Sequence, residues 1–202
     1  MGVAQTVNST EVEKNFHSIL FFLKKFESAG VNLVLFPECC LSGFSSHMSR
    51  FTIEMVKPYL DQVIAWSEQT GIKVVLPTAY VENGKVFNSG FWIDGSEITS
   101  FYKSSLTESE NKFFSCPQPP PSKIFRSDDF RFAILICFEA EVPPWTHFQA
   151  GQVDAVLWPG YWGWTPECAW AEEKEFGVKN RIYENVKIWR TPLLQANFVA
   201  MI

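Results

Sequence analysis

FAILICFEAE, residues 132–141, is the stretch on which the fold turns. Phe132 to Ile136 run without a polar break, and the run ends at a cysteine, a phenylalanine and an acid. A strand with one wet face alternates apolar and polar residues. A short continuous apolar run is the signature of a strand covered on both faces. The run therefore predicts a sheet buried between two layers. It also raises a question about Cys137, which stands where buried strand gives way to polar sequence: either it fills a core or it does chemistry.

The same pattern recurs along the chain. VNLVLF (31–36), IKVVLP (72–77) and DAVLWP (154–159) are further buried strands. One helical segment precedes the first of these and another separates it from the second. Val12, Phe16, Ile19, Leu20, Leu23 and Phe26 recur at helical spacing, Thr10 with Glu13 makes a capping box, and Gly30 follows the end. A second helix is expected over about 53–69, with Pro58 marking a start or a kink. The pattern then shifts in AYVENGKVFNSGFWIDGSEITSFYK (79–103), where Asn83-Gly84 and Asp94-Gly95 separate alternating runs and predict an antiparallel meander. CPQPPPSK (116–123) reads as a proline-rich loop, and Pro143-Pro144 as the first turn of a short helix. Residues 166–189 read as one helix with acids early and bases late, and LLQANFVAMI (193–202) as a closing strand. The class is α/β, in a single domain over 1–202. Two hairpins in mid-chain fit a sheet packed on a second sheet, with helices outside, better than one doubly wound sheet.

Composition narrows the function. The 202 residues are 47% hydrophobic and 16% aromatic, enough for a sizeable core. Net charge is −5 with no basic run, so no nucleic-acid partner is expected. Five cysteines (39, 40, 116, 137, 168) form no regular framework, and a reduced, cytoplasmic protein is expected. The most apolar early stretch, FHSILFFLKKF (16–26), is broken by His17, Lys24 and Lys25, so no membrane association is expected.

Three polar residues fall just past strand ends: Glu38 after VNLVLFP, Lys103 after ITSFY, and Cys137 after AILI. Sites in α/β sheets gather at the carboxyl ends of strands. Each also has a plain reading: a packed thiol, a solvated loop acid, a surface lysine on a hairpin end. Glu108 and Glu110 read as helix-start acids. Spacing alone leaves the function open.

The motifs decide further. LVLFPECCLSGF (33–44), FYKSSLTESE (101–110) and ILICFEAEVP (134–143) resemble, in order, the three signatures of the nitrilase superfamily of carbon–nitrogen hydrolases. DAVLWPGYWG (154–163) and NRIYENVKIWRTPLLQAN (180–197) resemble two further family segments, the second with Arg181, Glu184 and Asn185. The resemblance runs from Val3 to about Asn197. It implies a four-layer αββα sandwich and a Glu-Lys-Cys triad, with Glu38 as general base, Lys103 as oxyanion-stabilising cation and Cys137 as nucleophile. A second glutamate often follows the lysine, and Glu110 matches it, with Glu108 behind. The Phe138 backbone N–H, next after the nucleophile, would join Lys103 around the oxyanion. Loss of ammonia or an amine would leave a thioester for water to open. No metal or other cofactor is implied, and His17, His47 and His147 show no ligand spacing.

The chain departs from the family pattern in places. Ser105 stands where Lys-x-His-Leu has histidine, and Val142-Pro143-Pro144 replaces the usual Phe-Pro-Glu. Family members usually continue beyond the last segment, so the expectation is a C-terminally incomplete sandwich and a homo-oligomer that covers its open edge. Trp158, Tyr161 and Trp162 are candidate pocket residues, against the plainer reading of ordinary packing. Arg181 and Glu184 are expected to pair along a helix.

In the superfamily the chain resembles, nitrile-cleaving members often have tryptophan right after the cysteine; Phe138 looks more like the amidase and carbamoylase side, so the resemblance implies a small amide or N-carbamoyl substrate. Two other readings compete. One is a catalytically inactive relative acting as a binding or assembly module. The other is a Cys–His hydrolase built on Cys168.

Overall fold

The computed structural model describes residues 1–119, 122–161 and 178–198, and the apolar runs there become the inner strands of two sheets. The first sheet has the order β1-β2-β3-β4-β5: Gly2–Val3, Leu33–Leu35, Lys73–Glu82, Lys85–Asp94 and Glu97–Tyr102. Its first three strands run parallel and its last three form the antiparallel meander. Asn83 and Gly84, at φ 51° and 73°, take the left-handed turn that an Asn-Gly hairpin requires. The second sheet has the order β6-β7-β8-β9: Ile124–Ser127, Phe130–Ile134, Ala155–Pro159 and Leu193–Ala196.

Alternation along each strand, with both faces covered, explains why the buried stretches 33–36, 74–77, 132–136 and 155–159 carry no polar residue. Leu33 and Leu35 point inward with Val75, Trp92 and Phe101, and meet Phe132, Ile134, Ile136 and Leu157 of the other sheet. Val34, Val74, Leu76 and Ile93 point the other way. They are covered by α1 (Val12–Ser28) and α2 (Ile53–Thr70) through Phe16, Ile19, Leu23, Leu60 and Val63. Ala133, Leu135 and Val156 meet Ile182 and Trp189 of α3 (Val178–Trp189). The result is a four-layer αββα sandwich. Each fully buried aliphatic side chain stabilises it by about 1.5–3 kcal/mol.

Several local expectations are corrected. Helix α1 begins at Val12 with Glu11 at its cap, so Thr10 and Glu13 form no capping box. Ser9 and Asn15 tie the entry instead: Asn15 Nδ2 donates to the Ser9 carbonyl and Ser9 N–H donates back to Asn15 Oδ1, at 2.9 and 3.0 Å. Strand β6, unforeseen after the prolines, pairs with β7 across Asp128, at φ 53°. Pro143-Pro144 opens a turn, not a helix, because Thr146 satisfies the Pro143 carbonyl with both its N–H and its Oγ1–H. Arg181 pairs with Glu141 at 2.8 Å, while Glu184 pairs with Lys187. The Glu141 side chain is 11% exposed against 54% for Glu184, so it is the less hydrated partner. Pro58 lies inside α2. The part of the expected helix before residue 178, with Cys168, lies outside the described residues, as does Trp162. No helix among the described residues is long and apolar enough to cross a membrane.

Candidate active site

The second sheet presents Cys137 on a sharp bend. The chain leaves β7 through Leu135 and Ile136, then reverses at Cys137 into one 3-10 turn, Cys137–Ala140. Cys137 sits at φ 47°, a left-handed conformation that costs a non-glycine residue about 1–3 kcal/mol. Strand, strained turn and helical turn together lift the side chain off the end of the sheet, the geometry of a nucleophile elbow. The surroundings hold the bend. Trp158 Nε1–H donates to the Cys137 carbonyl at 2.8 Å, and the Ile136 N–H donates to Glu139 Oε2 at 2.8 Å. Cys137 Sγ lies 3.9 Å from the Tyr161 carbonyl.

The first sheet supplies the charged groups. Beyond β2, Phe36 N–H still reaches the Val75 carbonyl, and the chain then turns with Cys39 at φ 52°. That turn buries Glu38. Glu38 Oε1 accepts from Asn88 Nδ2 at 2.7 Å and from Lys103 Nζ at 2.9 Å. Lys103 Nζ also donates to Glu110 Oε1 at 2.6 Å, and Glu110 Oε2 accepts the Thr107 N–H at 2.9 Å. The Lys103 N–H donates to the Asn88 carbonyl at 2.7 Å, so one residue in mid-β4 holds both Glu38 and Lys103. Lys103 is 1% exposed, far from the surface lysine of its plain reading.

Electrostatics set the resting state. Cys137 is partly exposed as a residue, but its thiol is strongly desolvated. Burial first, then the Glu38 carboxylate, push that thiol well above its ordinary range, and Lys103 offsets only part of the rise. The sulfur therefore rests protonated. Burial alone would lower Lys103, but the Glu38 and Glu110 carboxylates outweigh it and hold the group as an ammonium. Such an arrangement can offer a fixed cation to an oxyanion and a carboxylate to a thiol proton.

A family model described as carbon-nitrogen hydrolase matches residues 2–185. The chain belongs to the carbon–nitrogen hydrolase family. No curated protein matches it. Among solved structures, a CN-hydrolase superfamily protein from Xanthomonas campestris, solved with an arsenic adduct in its active site, superposes with TM-score 0.81 at 15% identity, over 98% of this chain and 75% of that one. A double mutant of the amidase from Nesterenkonia sp., in complex with acrylamide, gives 0.77 at 18% identity over 98% and 75%. A single mutant of the same amidase, with butyramide, gives 0.73 at 18% over 98% and 76%. At these identities the likeness shows the carbon–nitrogen hydrolase fold.

Within that fold, the other candidate residues fall into distinct places. Glu110 is buried against Lys103, whereas Glu108 is exposed. Phe138 occupies the second position of the elbow turn and is partly exposed. Trp158 is buried, its indole N–H committed to the Cys137 carbonyl. Tyr161 stacks on Phe44 at 4.7 Å, and its hydroxyl accepts from Asn8 Nδ2 at 3.3 Å. Ser105, at the place of the family's histidine, has Oγ 3.4 Å from His147 Nε2. Among the described residues no group of three or more His, Cys, Asp or Glu is arranged to hold a metal ion.

Sequence reasoning passed over Asn88, Glu139 and Lys123 as members of the site. Asn88 left a signal: with Ser89 it is a polar interruption in an otherwise apolar strand, and both are buried. Buried polar groups must find partners, and Asn88 finds Glu38. Glu139 stood out only as an acid beside the cysteine. Lys123 left no signal, because a lysine after a proline run reads as a loop residue. Yet its ammonium is buried on the Glu139 carboxylate at 2.9 Å.

Proposed function

We propose that the chain hydrolyses the carbon–nitrogen bond of a small amide or N-carbamoyl compound through a Cys137 thioester. The observation that carries the reading is the Lys103 ammonium, buried between Glu38 Oε1 at 2.9 Å and Glu110 Oε1 at 2.6 Å beside the Cys137 thiol. Because the thiol rests neutral, attack needs a base. Glu38 Oε1 is occupied by Asn88 and Lys103, so we assign the proton exchange to Oε2.

In the acylation half, Glu38 takes the Sγ proton as sulfur bonds to the carbonyl carbon. The carbonyl π electrons move to oxygen, where the Lys103 ammonium and the Phe138 N–H receive the charge. One such donor contributes about 3–4 kcal/mol to the transition state. Glu38 then returns the proton to the departing nitrogen, and ammonia or an amine leaves. In the second half Glu38 takes a proton from water, the hydroxyl adds to the thioester, and the acid departs as the thiol is reprotonated. Glu110 keeps Lys103 charged and aimed throughout.

The solved relatives carrying acrylamide and butyramide support a small amide as substrate. The reading extends to a homo-oligomer in a reducing, cytoplasmic setting. Exposed Trp145, Tyr183 and Ile188 support the first part. The second is supported by free thiols at Cys39, Cys40, Cys116 and Cys137. The test is intact-protein mass spectrometry with a panel of small amides, N-carbamoyl compounds and nitriles. An acyl adduct mapping to Cys137, abolished in Cys137→Ala along with turnover, is expected. Amide turnover that survives Cys137→Ala sinks the proposal.

A further inference from the structure

We infer that Glu139 and Lys123 are a positioning pair that fixes Lys103 in register with Cys137; the inference rests on the roles proposed above for those two residues. Lys103 and Cys137 belong to different sheets, so nothing in either sheet's hydrogen-bond ladder sets the distance between them. The buried pair bridges the gap. Glu139 Oε1 accepts the Ser104 N–H at 2.7 Å, the Ser104 hydroxyl at 3.0 Å and the Ser105 N–H at 3.3 Å, all directly after Lys103. Its other oxygen accepts the Ile136 N–H, directly before Cys137. Lys123 Nζ completes the clamp by donating to the Tyr102 carbonyl, directly before Lys103, and to both Glu139 oxygens, at 2.9 and 3.1 Å. One carboxylate and one ammonium thus grip the chain on both sides of the proposed oxyanion cation and on the near side of the proposed nucleophile.

The Lys123 and Glu139 side chains are 2% and 0% exposed. A buried ion pair is a poor source of stability, since a well-packed apolar pair of similar volume is often as good or better. What an apolar pair cannot do is hold named N–H groups and carbonyls at fixed distances. These contacts of Glu139 and Lys123 go to the flanks of the reacting groups, so both act through other residues. The carboxylate is ionised in this setting: burial opposes the charge, but Lys123, His147 and the backbone N–H groups of Ser104 and Ile136 outweigh it.

The test compares Lys123→Met, Glu139→Gln and the double variant Lys123→Met/Glu139→Gln in the full chain. Each single variant leaves one buried charge unpaired and lowers Tm. The double variant removes both charges and keeps the side-chain volumes, so its Tm returns toward that of the parent. Positioning is read by the rate of iodoacetamide alkylation at Cys137, mapped by peptide mass spectrometry across pH. Lys103 pulls the Cys137 thiol down, so a displaced Lys103 moves the alkylation limb to higher pH. The rate at fixed pH then falls about tenfold for each unit of that displacement.

The expected result is a double variant with recovered Tm and an alkylation limb that stays displaced. A limb that returns to its parental position together with Tm would mean that the pair serves stability alone, and would overturn the inference. Alkylation requires no turnover, so this outcome is independent of whether the parent hydrolyses amides. That separate question is answered by the substrate panel with Cys137→Ala.

Discussion

Replacing Lys103 by methionine probes the whole site at once. Methionine matches the lysine stem but removes the ammonium from between Glu38 and Glu110. Both carboxylates are almost wholly buried and would lose their shared partner. Removing one member of a buried ion pair typically destabilises by about 3–5 kcal/mol. Two carboxylates lean on this one cation, which puts the expected loss toward the upper end. For a domain of this size each kcal/mol moves Tm by about 2–4 °C, so a fall of roughly 6–20 °C is expected. In the oxyanion role proposed for Lys103, turnover should suffer separately. Loss of one oxyanion donor lowers kcat by about 10²–10³-fold. Adding Glu110→Gln to Lys103→Met removes one of the two stranded charges. This double variant should regain part of the lost Tm and none of the kcat. Scanning calorimetry and amide hydrolysis under saturating substrate read the two effects independently. A single variant melting within about 2 °C of the parent, or a double variant no more stable than the single, would refute the electrostatic reasoning.

Three further outcomes are expected. Glu139 is held below the ordinary carboxylate range, so the folded state binds fewer protons there than the unfolded chain. Its contribution is complete above the unfolded value near 4.5 and drains away as pH falls below it; urea midpoints between pH 6 and pH 3 should decline, and Glu139→Gln should flatten that decline. The resting Cys137 thiol is pushed up by burial and by Glu38, so its alkylation without substrate should stay slow at neutral pH and rise only in alkali. A labelling limb near neutrality would mean a resting thiolate–ammonium pair instead. Trp158→Phe strips the indole donor from the Cys137 carbonyl and should cost about 1–3 kcal/mol in urea unfolding, with a fall in kcat as the strained bend relaxes.

Much of this was legible from residues alone. The apolar runs within 31–36 and 72–77 and at 132–136 announced strands covered on both faces, and both Gly-containing turns announced the meander. Ordered motifs marked Glu38, Lys103, Glu110 and Cys137 for attention, and these four lie together. Local signals competing with tertiary contacts were read less well. Thr10 and Glu13 satisfied a capping rule, yet Ser9 and Asn15 tie the helix entry. Arg181 had an acid three residues along its own helix, and took the more buried Glu141 from another segment. Such pairings depend on desolvation, and desolvation is a property of the assembled layers.

Lys123 shows the limit most clearly. Nothing in PPPSKIF (119–125) distinguishes it from a solvated loop lysine. Only the sandwich brings it under Tyr102 and against Glu139. Periodicity and turn chemistry are short-range properties of the chain, and they were enough to determine the inner strands and the two hairpins of the meander, though not β6 and its hairpin with β7. The spacing between an ammonium on one sheet and a sulfur on the other is long-range. It was decided by how the two sheets pack, and by a buried charge pair that no local pattern encodes.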